Sequence, residues 1–405
     1  MRCLIAIIAV SCLAHAAGCN GRSRDNSTAP INAARRLLNQ QRQEQRAEME
    51  RLDELIRNNP DDPALYVQRG FLWVEREDYF SAEDQFDLAL RIERQHPGAL
   101  CGAAVVTFYT KNDLELLEHL AKTRTPQYAP VHYWLGRARQ SAGEYDDAIE
   151  AYGKAIELNP TYAEAYRARG STAIEQSAAI EQSAELQQES DDAAGALADF
   201  RQAIFFDPQM AVAYTNSGDV LMDQDEVERA LRSYARAISI EPADPYAYSR
   251  RGRALAAMEK YRDAARDYAL AQELAERTDR WEVIAAMNFD RGVALFHVGD
   301  HYEAMRVLSS EIESDPLNAD ARCYHADCLM EIWGRAWEAK GEYSEAIRLY
   351  EQAKRDDDPE YDESMHARAL YGRARAHEEA GSSRAAKRDR SEANRVDSDY
   401  ADEDR

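Results

Sequence analysis

The sequence has little basic charge, glycine and proline for its length, and each shortage excludes a class of protein. Its 405 residues contain 50 lysines and arginines against 74 aspartates and glutamates, a formal net charge of −24. So acidic a chain is not expected to bind nucleic acid or an anionic membrane surface, which both need clustered basic residues. The 18 glycines and 12 prolines fall well below the roughly 12% of average proteins, which excludes collagen-like and glycine- or proline-rich disordered classes.

Cysteine is also scarce. Six cysteines do not make the disulfide framework of an exported chain. Cys323 and Cys328 lie on one predicted helix but point about 140° apart, so they are not expected to form a disulfide. We interpret them as small buried hydrophobic residues, because no histidine on the same face completes a zinc site.

Motifs of catalysis are missing as well. The chain has no phosphate-binding loop, no dinucleotide-binding glycine motif, no zinc-protease motif and no nucleophile elbow. We therefore predict no catalytic, cofactor-binding or metal-binding residues. We also expect no cofactor and no small-molecule substrate.

The first residues have the pattern of an export signal. Arg2 supplies a positive charge, an apolar run covers Leu4–Ala14, and small residues then precede Cys19. The run is too short to cross a bilayer as a stable helix. Its end, Ala16-Ala17-Gly18-Cys19, resembles a bacterial lipobox. The resemblance implies that residues 1–18 are removed and that Cys19 carries a lipid such as palmitate.

Lipidation at Cys19 predicts an exported, membrane-anchored protein that faces the periplasm or another extracytoplasmic space. Residues 19–30 would then be the tether between the anchor and the folded body. Two alternatives stay open. Ala14-His15-Ala16 fits an ordinary cleavage site, which would give a soluble secreted protein, and cleavage at Ser11-Cys12 leaves a very short apolar run.

The rest of the chain repeats itself with a period of 34 residues. Clear units are 129–162, 211–244 and 245–278, and each predicts two helices joined by a turn. The first helix carries an aromatic residue and, four positions later, a small one, as at Tyr248 and Gly252. Small residues on the facing surfaces let the paired helices approach closely, and the aromatic rings fill the space between units.

The second helix has its own set of spaced residues. Ala148, Tyr152 and Ala155 are separated by offsets of four and three, which place all three on one helical face. Pro160 follows, and proline ends a helix because it lacks the backbone N–H and clashes with the preceding turn.

These positions resemble the tetratricopeptide repeat family. The resemblance implies an all-α fold, a right-handed superhelical solenoid of helix-turn-helix units whose concave groove binds a protein or peptide. It covers residues 63–398, after an N-terminal capping helix at 31–62 and before an acidic tail at 399–405. We number about nine units along the chain: 63–96, 98–128 (degenerate), 129–162, 163–210 (with an insertion), 211–244, 245–278, 285–318, 319–361 (with an insertion) and 365–398 (weak).

Units 4 and 8 are longer than the others. In unit 4 we expect the first helix to run on and to turn back near Ser190-Asp191-Asp192. In unit 8 we place the insertion around 332–337 and the turn between helices at Gly341, so that Tyr350 takes the place of Tyr152. Trp333 and Trp337 would then share one helical face, where they are either packed in the core or exposed as an anchor for a partner.

An Arg-Gly pair recurs in the first helix of four units. The four pairs are Arg69-Gly70, Arg169-Gly170, Arg251-Gly252 and Arg291-Gly292. A side chain that recurs at one position of a repeat indicates a role in the scaffold. We expect its aliphatic stem to pack and its guanidinium to reach water or a neighbouring carboxylate.

The resemblance implies that residues one and five positions after the first-helix aromatic line the concave face. Those positions hold Tyr133, Arg137, Arg167, Thr215, Asp219, Ser249, Arg253, Phe289, Val293 and Cys323. Candidate partner-binding residues are Tyr133, Arg137, Arg167, Arg253 and Phe289, with Trp333 and Trp337 as a second location. The alternative is that the arginines pair with neighbouring acids and only keep the surface soluble.

We predict a non-enzymatic scaffold or adaptor of the bacterial cell envelope that binds a protein or peptide in this groove. Within that class, the resemblance suggests an assembly factor for pilus, secretion or outer-membrane complexes. The alternative from another class is an enzyme whose site is built from residues of the repeats. Exposed arginines and aromatics in the groove favour binding, whereas converging histidine, aspartate and serine favour catalysis.

The lipid anchor can be tested by replacing Cys19. Cys19→Ala removes the thiol that would be acylated, so the protein should move from the detergent-requiring fraction to the soluble one or stay uncleaved at the membrane. Fractionation and mass spectrometry of the mature N-terminus measure both outcomes. An unmodified Cys19 in wild-type protein purified without detergent would contradict the lipoprotein prediction.

Overall fold

The computed structural model describes residues 43, 46–181, 189–332, 335–356, 358 and 361–397, and all regular secondary structure among them is helical. Helix α1 covers residues 46–58. The first helices of the units are α2 (Pro63–Val74), α4 (Pro97–Lys111), α6 (Ala129–Ser141), α8 (Ala163–Glu181), α10 (Ala211–Asp223), α12 (Pro245–Ala257), α14 (Trp281–Val298), α16 (Ala319–Glu331) and α18 (Glu363–Glu379). The second helices are α3 (Tyr79–Ile92), α5 (Glu115–His119, continued by a π-helical turn at Leu120–Arg124), α7 (Tyr145–Leu158), α9 (Glu189–Phe206), α11 (Val227–Ile240), α13 (Tyr261–Thr278), α15 (His301–Ser314), α17 (Ala336–Arg355) and α19 (Ser383–Val396).

Successive helices pack as antiparallel neighbours, which confirms the predicted all-α repeat solenoid. The first helices of successive units also contact each other, and between units 4 and 5 the Asn216 amide donates a hydrogen bond to the Ser171 hydroxyl at 2.8 Å. In the described residues, the second helices of successive units make no comparable contact. The stack therefore curves toward its first helices, which form the inner face, and the second helices form the outer face.

The turn inside a unit requires one residue with left-handed backbone. Gly143, Gly299 and Gly381 occupy it in units 3, 7 and 9, at φ of 77°, 89° and 74°. Glycine adopts this conformation without the penalty that a Cβ atom causes. In units 1, 5 and 6 acidic residues occupy the same place: Glu77, Asp225 and Glu259.

A ring from the second helix fills the space between the two helices of a unit. The eighth residue of α7, α11 and α13 is Tyr152, Tyr234 and Tyr268 respectively, and each is fully buried. Each ring lies against a glycine of its own first helix: a Cβ atom added to Gly218 would lie 2.5 Å from the Tyr234 ring. Only glycine allows the ring so close, and this contact fixes the separation of the paired helices.

The arginine of each Arg-Gly pair connects the two helices of its unit. The Arg251 guanidinium donates two hydrogen bonds to the Asp267 carboxylate, at 2.6 and 2.8 Å, and lies 5.5 Å from the Tyr248 ring centre. Equivalent contacts join Arg169 to Asp199, Arg69 to Gln85, and Arg291 to Glu303. These arginines belong to the scaffold, as the sequence indicates.

In the long unit 4 the second helix begins earlier than predicted. Helix α8 runs on to Glu181 as expected, but α9 already begins at Glu189. The predicted turn at Ser190-Asp191-Asp192 is therefore wrong. Acidic residues favour the first turn of a helix, where they face unpaired N–H groups. Residues 182–188, between the two helices, lie outside the described residues.

In unit 8 the extra residues lengthen the second helix at its end, not the region between the helices. Helix α16 ends at Glu331 and α17 begins at Ala336, so Trp337 belongs to the second helix of the unit and not to an extension of the first. Helix α17 has 20 residues, against 14 in α7. The predicted helical insertion at 332–337 is wrong, and Gly341 lies inside α17 instead of in a turn.

The ring of unit 8 comes from Tyr343. It is the eighth residue of α17, as Tyr152 is of α7, and it is fully buried against Gly372 of the next unit. Tyr350, which the spacing predicts for this role, lies two turns later. The alanines on either side recur every seven residues, at 339, 346 and 353, so the pattern fits both registers equally well.

The cysteines of the described part are free thiols in the core. Cys101, Cys323 and Cys328 are fully buried, and burial raises the pKa of each thiol above its ordinary value. They pack as small hydrophobic residues, as predicted. A membrane-spanning candidate, meaning a helix both long and apolar enough, does not occur among the described helices.

The arginine contact inside unit 6 makes a local stability prediction. In the Arg251–Asp267 pair the Asp267 side chain is 8% exposed, so Asp267→Ala leaves a largely buried guanidinium without its partner. We expect the free energy of unfolding to fall by about 3 kcal/mol. Amide hydrogen exchange should rise mainly at 245–278, because each unit contacts only its neighbours.

The matched control lies on the same helix. Asp263 pairs with Arg266 at 2.9 Å, but both side chains are more than half exposed. Asp263→Ala should change the free energy of unfolding by only about 0–1 kcal/mol. Equal effects of the two substitutions, or loss of protection along the whole chain, would contradict this account.

Candidate binding surface on the inner face

The inner face is lined by residues that follow the small residue of each first helix. One position after the glycine come Phe71, Arg137 and Arg253, and the same place in unit 5 holds Asp219. Because the glycine faces the ring of the second helix, the residue after it is rotated by about 100° around the helix. Its side chain therefore points to the concave, inner face of the solenoid.

Aromatic residues surround a cleft of about 590 Å³ at the N-terminal end of this face. Phe71 of α2 stacks on Trp134 of α6 with ring centres 6.0 Å apart, and the Arg137 guanidinium lies 5.1 Å from the Trp134 ring centre. Tyr133 and Tyr162 complete the wall. We call these five residues the aromatic cleft.

Acidic residues lie at the edge of the aromatic cleft. Glu48, Glu75 and Glu164 are among the residues that line it. An apolar side chain can thus be buried on the rings while Arg137 offers a positive charge beside them. Arginine over an aromatic ring keeps its N–H groups available for an incoming carboxylate.

Arg137 and Arg167 lie near one another, around the hydroxyl of Tyr152. The Tyr152 hydroxyl donates to the Gln140 side chain at 2.8 Å. Burial raises the pKa of Tyr152, and the positive charges of Arg137 and Arg167 act in the opposite direction. The structure therefore brings together two of the predicted arginines, which come from successive units.

A polar cluster occupies the inner face of units 5 to 7. The Asp219 carboxylate accepts a hydrogen bond from Tyr234 at 2.7 Å and lies 3.4 Å from Arg250. Asp290 of α14 and Arg253 of α12 lie beside this pair. Burial raises the pKa of Asp219 and of Asp290, and the nearby guanidiniums of Arg250 and Arg253 oppose that rise.

One buried hydroxyl in this cluster has no hydrogen-bond partner. Tyr268 is fully buried, and its hydroxyl makes no hydrogen bond with the described residues. The equivalent hydroxyl of Tyr234 bonds to Asp219 because unit 5 has an aspartate after its glycine. Unit 6 has Arg253 there, and an arginine side chain cannot accept the hydrogen bond that the Tyr268 hydroxyl would donate.

On the inner face of units 7 to 9 the charged side chains pair with each other. Arg368 of α18 donates to the Asp327 carboxylate at 2.7 and 2.9 Å and lies 4.1 Å from the ring centre of Tyr324. Tyr343 also donates to Asp327. Phe289 is half-buried and meets Tyr324 edge to face at 6.1 Å. These charges are already neutralised inside the protein.

The three predicted arginines differ from the arginines of the scaffold. Arg137, Arg167 and Arg253 make no ion pair and no hydrogen bond to the described residues, whereas Arg169 and Arg251 each hold a carboxylate with two hydrogen bonds. The alternative, in which neighbouring acids neutralise the arginines, fits Arg253 in part, because its charge acts on Asp219 and Asp290, whereas Arg137 and Arg167 make no such contact with a carboxylate of the described residues. We call Arg137, Arg167 and Arg253 the inner arginines.

Other predicted positions are more buried than expected. Thr215 and Cys323 lie between neighbouring first helices and not on an open surface. Tyr133 is only 8% exposed and packs against Tyr152 and Tyr162, so it supports the aromatic cleft from below. At these three positions the residue that follows the aromatic packs into the scaffold, whereas Arg167, Ser249 and Phe289 in the same place stay partly exposed.

Of the two tryptophans of unit 8, only Trp337 lies within the described residues. It lies in the first turn of α17 and is 72% exposed. The expectation that it shares a helical face with Trp333 stays a prediction, because Trp333 lies outside the described residues. Trp337 is on the outer face, away from the inner arginines.

Sequence reasoning missed Phe71 and Trp134. Phe71 follows Gly70 directly, so the rule that selected Arg137 would also have found Phe71 had it been applied to unit 1. Trp134 follows Tyr133 and has no counterpart in other units. Groups of histidine, cysteine and carboxylate residues able to hold a metal ion do not occur in the described part of the chain.

Comparison with known proteins agrees with this architecture. A TPR repeat model matches residues 136–176 and 218–259, and a tetratricopeptide repeat model matches residues 333–387. No curated protein matches the sequence. The chain is a repeat protein of the helical solenoid class. The matched parts of the chain are tetratricopeptide repeats.

Three solved structures illustrate the likeness. MamA is 25% identical over 44% of this chain and 96% of its own, with a TM-score of 0.37. YrrB, a TPR protein with an unusual peptide-binding site, is 23% identical over 48% of this chain and 95% of its own, with a TM-score of 0.31. The human IFIT1 dimer with m7Gppp-AAAA is 14% identical over 74% of this chain and 66% of its own, with a TM-score of 0.50. This last likeness concerns the fold alone.

Repeats of this family are generally non-catalytic and support a protein–protein interaction scaffold. The surface that such a scaffold would use here contains an aromatic part at units 1 to 3 and unpaired arginines at units 3, 4 and 6.

The unpartnered hydroxyl of Tyr268 can be tested against the bonded hydroxyl of Tyr234. Tyr268→Phe removes a buried polar group without a partner and should raise the free energy of unfolding by about 1 kcal/mol. Tyr234→Phe removes a donor from the Asp219 carboxylate and should lower it by about 1 kcal/mol. Chemical denaturation of both variants measures the difference. A destabilised Tyr268→Phe variant would mean that the hydroxyl has a partner in solution.

Proposed function

We propose that the protein is a non-catalytic scaffold that holds a segment of a partner protein along its inner face. The segment carries acidic residues that meet the inner arginines and apolar residues that enter the aromatic cleft. It lies across units 3 to 7 and reaches toward Phe289.

The observation that carries this proposal is that the inner arginines form no ion pair within the described residues. The chain has 24 more acidic than basic residues, yet neither Arg137 nor Arg167 pairs with a carboxylate there, and Arg253 makes no close ion pair although its charge acts on Asp219 and Asp290. Arginine without a partner on a curved inner face is suited to bind a carboxylate with two parallel hydrogen bonds. The acidic surface around them would repel negatively charged segments that do not match the spacing.

The aromatic cleft supplies the second half of the recognition. Trp134, Phe71 and Tyr162 offer a large apolar area next to Arg137, and residues of these types carry much of the binding energy in protein interfaces. A partner segment with an apolar residue beside an acidic one would satisfy the ring and the guanidinium together.

We further propose that the scaffold acts in the bacterial cell envelope, anchored by a lipid on Cys19 or, in the alternative, secreted as a soluble protein. The support is the lipobox-like sequence before Cys19. An assembly factor for pilus, secretion or outer-membrane complexes would fit this location.

Charge reversal of the inner arginines tests the binding surface. Arg137→Glu, Arg167→Glu and Arg253→Glu are made together in the full chain, and a photocrosslinking residue replaces Ser249 on the inner face. In wild-type cells we expect position 249 to crosslink to a discrete partner. In the triple variant this crosslink should be lost, because three attractive charges become repulsive. Helical content should stay nearly unchanged. Because Arg253→Glu adds a negative charge beside Asp219 and Asp290, the single Arg253→Glu variant is measured as well, and its melting temperature is the reference for the triple variant.

A matched control reverses three arginines of the outer face. Arg91, Arg262 and Arg384 are exposed, lie on second helices and make no ion pair in the described residues. Arg91→Glu, Arg262→Glu and Arg384→Glu change the net charge by the same amount and should leave the crosslink intact. Unimpaired capture by a folded inner triple variant would move the binding surface elsewhere, first to Trp337. Turnover of a substrate by the purified protein would favour the enzyme alternative.

A further inference from the structure

A second concave site lies on the outer face, between units 4 and 5. Helices α9, α10 and α11 surround a cavity of about 310 Å³ there. Its floor is formed by Leu197 and Leu221, and its polar residues are Arg201, Tyr214, Ser217, Arg229, Arg232, Ser233 and Arg236. We call it the arginine cavity.

The lining of the arginine cavity carries four positive charges and no carboxylate. A cavity on the outer face between units 2 and 3 serves as a comparison for the charge of the lining. That cavity is lined by three basic and three acidic residues: Lys122, Arg139, Lys154, Asp147, Glu150 and Glu157. Its charges therefore balance, whereas those of the arginine cavity do not.

Most donors of the arginine cavity are unused. Arg201 and Arg232 make no hydrogen bond and no ion pair to the described residues. Arg229 pairs only with Glu226 of the preceding turn. Arg236 donates one long hydrogen bond to the Ser239 hydroxyl at 3.4 Å and lies 5.9 Å from the ring centre of Tyr214. The hydroxyls of the cavity, on Tyr214, Ser217 and Ser233, have no hydrogen-bond partner in the described part either.

The arrangement concentrates like charges on one surface. Arg229, Arg232 and Arg236 are spaced by three and four residues, which places them on one face of α11, and Arg201 of α9 lines the same cavity. Neighbouring like charges on a helix destabilise it. In so acidic a protein their convergence indicates that an anion neutralises them.

We propose that the arginine cavity binds a ligand bearing a phosphate group with at least two negative charges. Guanidinium groups match phosphate oxygens with paired hydrogen bonds, and the hydroxyls of Ser217 and Ser233 supply further donors. The donors come from three helices and line one open, solvent-facing depression. This suits a compact anion better than an extended acidic segment, which presents its charges along a line.

The site is independent of the inner face. It shares no residue with the inner arginines or the aromatic cleft, its four arginines all lie on second helices, and it would stand if the partner segment proposed above did not exist.

The test uses sodium pyrophosphate as probe, titrated into the purified full chain by calorimetry at constant ionic strength. We expect saturable binding, and at least a tenfold weaker affinity in the Arg201→Gln/Arg232→Gln variant. Both side chains are exposed and unpaired, so the variant should fold as the wild type does. The control variant Arg91→Gln/Arg262→Gln removes two unpaired outer-face arginines elsewhere and should bind as the wild type does.

Vesicles distinguish the source of the phosphate. A lipid headgroup would be identified by binding to phosphatidylglycerol vesicles but not to phosphatidylcholine vesicles. Pyrophosphate should then displace the protein from the vesicles, and the Arg201→Gln/Arg232→Gln variant should not bind them. Pyrophosphate binding without vesicle binding would identify a soluble phosphate compound. Both results support the site.

Three results would overturn the proposal. The first is the absence of binding to either probe. The second is equal affinity of the wild type and the Arg201→Gln/Arg232→Gln variant. The third is binding of a poly-glutamate peptide that is tighter than that of pyrophosphate and is lost in the Arg201→Gln/Arg232→Gln variant, which would make the cavity a docking site for an acidic protein segment.

Discussion

The contact between a ring of the second helix and a glycine of the first is the constraint on which the rest of the structure depends. Tyr234 against Gly218 fixes how closely two helices pair. Because the glycine must face the ring, the direction of every other side chain on the first helix follows from it. The residue before the glycine points to the second helix, and the residue after it points to the inner face. One packing contact thereby determines which side chains of the first helix belong to the scaffold and which belong to the binding surface.

The arginines show how much this direction matters. Arg251 and Arg253 are two positions apart on the same helix, yet Arg251 holds Asp267 across the unit with two hydrogen bonds, whereas Arg253 makes no ion pair in the described part and acts on Asp219 and Asp290 only through its charge. The two outer-face cavities differ in a similar way: acids balance the basic residues of the one between units 2 and 3, and the one between units 4 and 5 is lined by arginines without a carboxylate. In a protein with so many acids, the places where arginine stays unpaired mark the surfaces that are suited to bind anionic groups.

The sequence predicted the helix pairs well, because the spacing of alanine, ring and alanine is local and recurs. It misplaced unit 8, where alanines recur every seven residues and both Tyr343 and Tyr350 fit the pattern; only packing against Gly372 distinguishes them. It selected Arg137 and Arg253 correctly as inner-face residues, but it could not show that they lack partners, since that depends on side chains from other units. Tyr133 was assigned to the surface although the contact between first helices buries it.

The contact of first helices along the inner face, with second helices held apart on the outer face, has a mechanical consequence. Bending the stack changes the gaps between units by small amounts at many interfaces, while the ring–glycine contacts inside each unit are left intact. The protein would therefore behave as a soft spring whose groove can widen or narrow gradually. A load applied at one end would be shared along the chain and would not be concentrated at a single hinge.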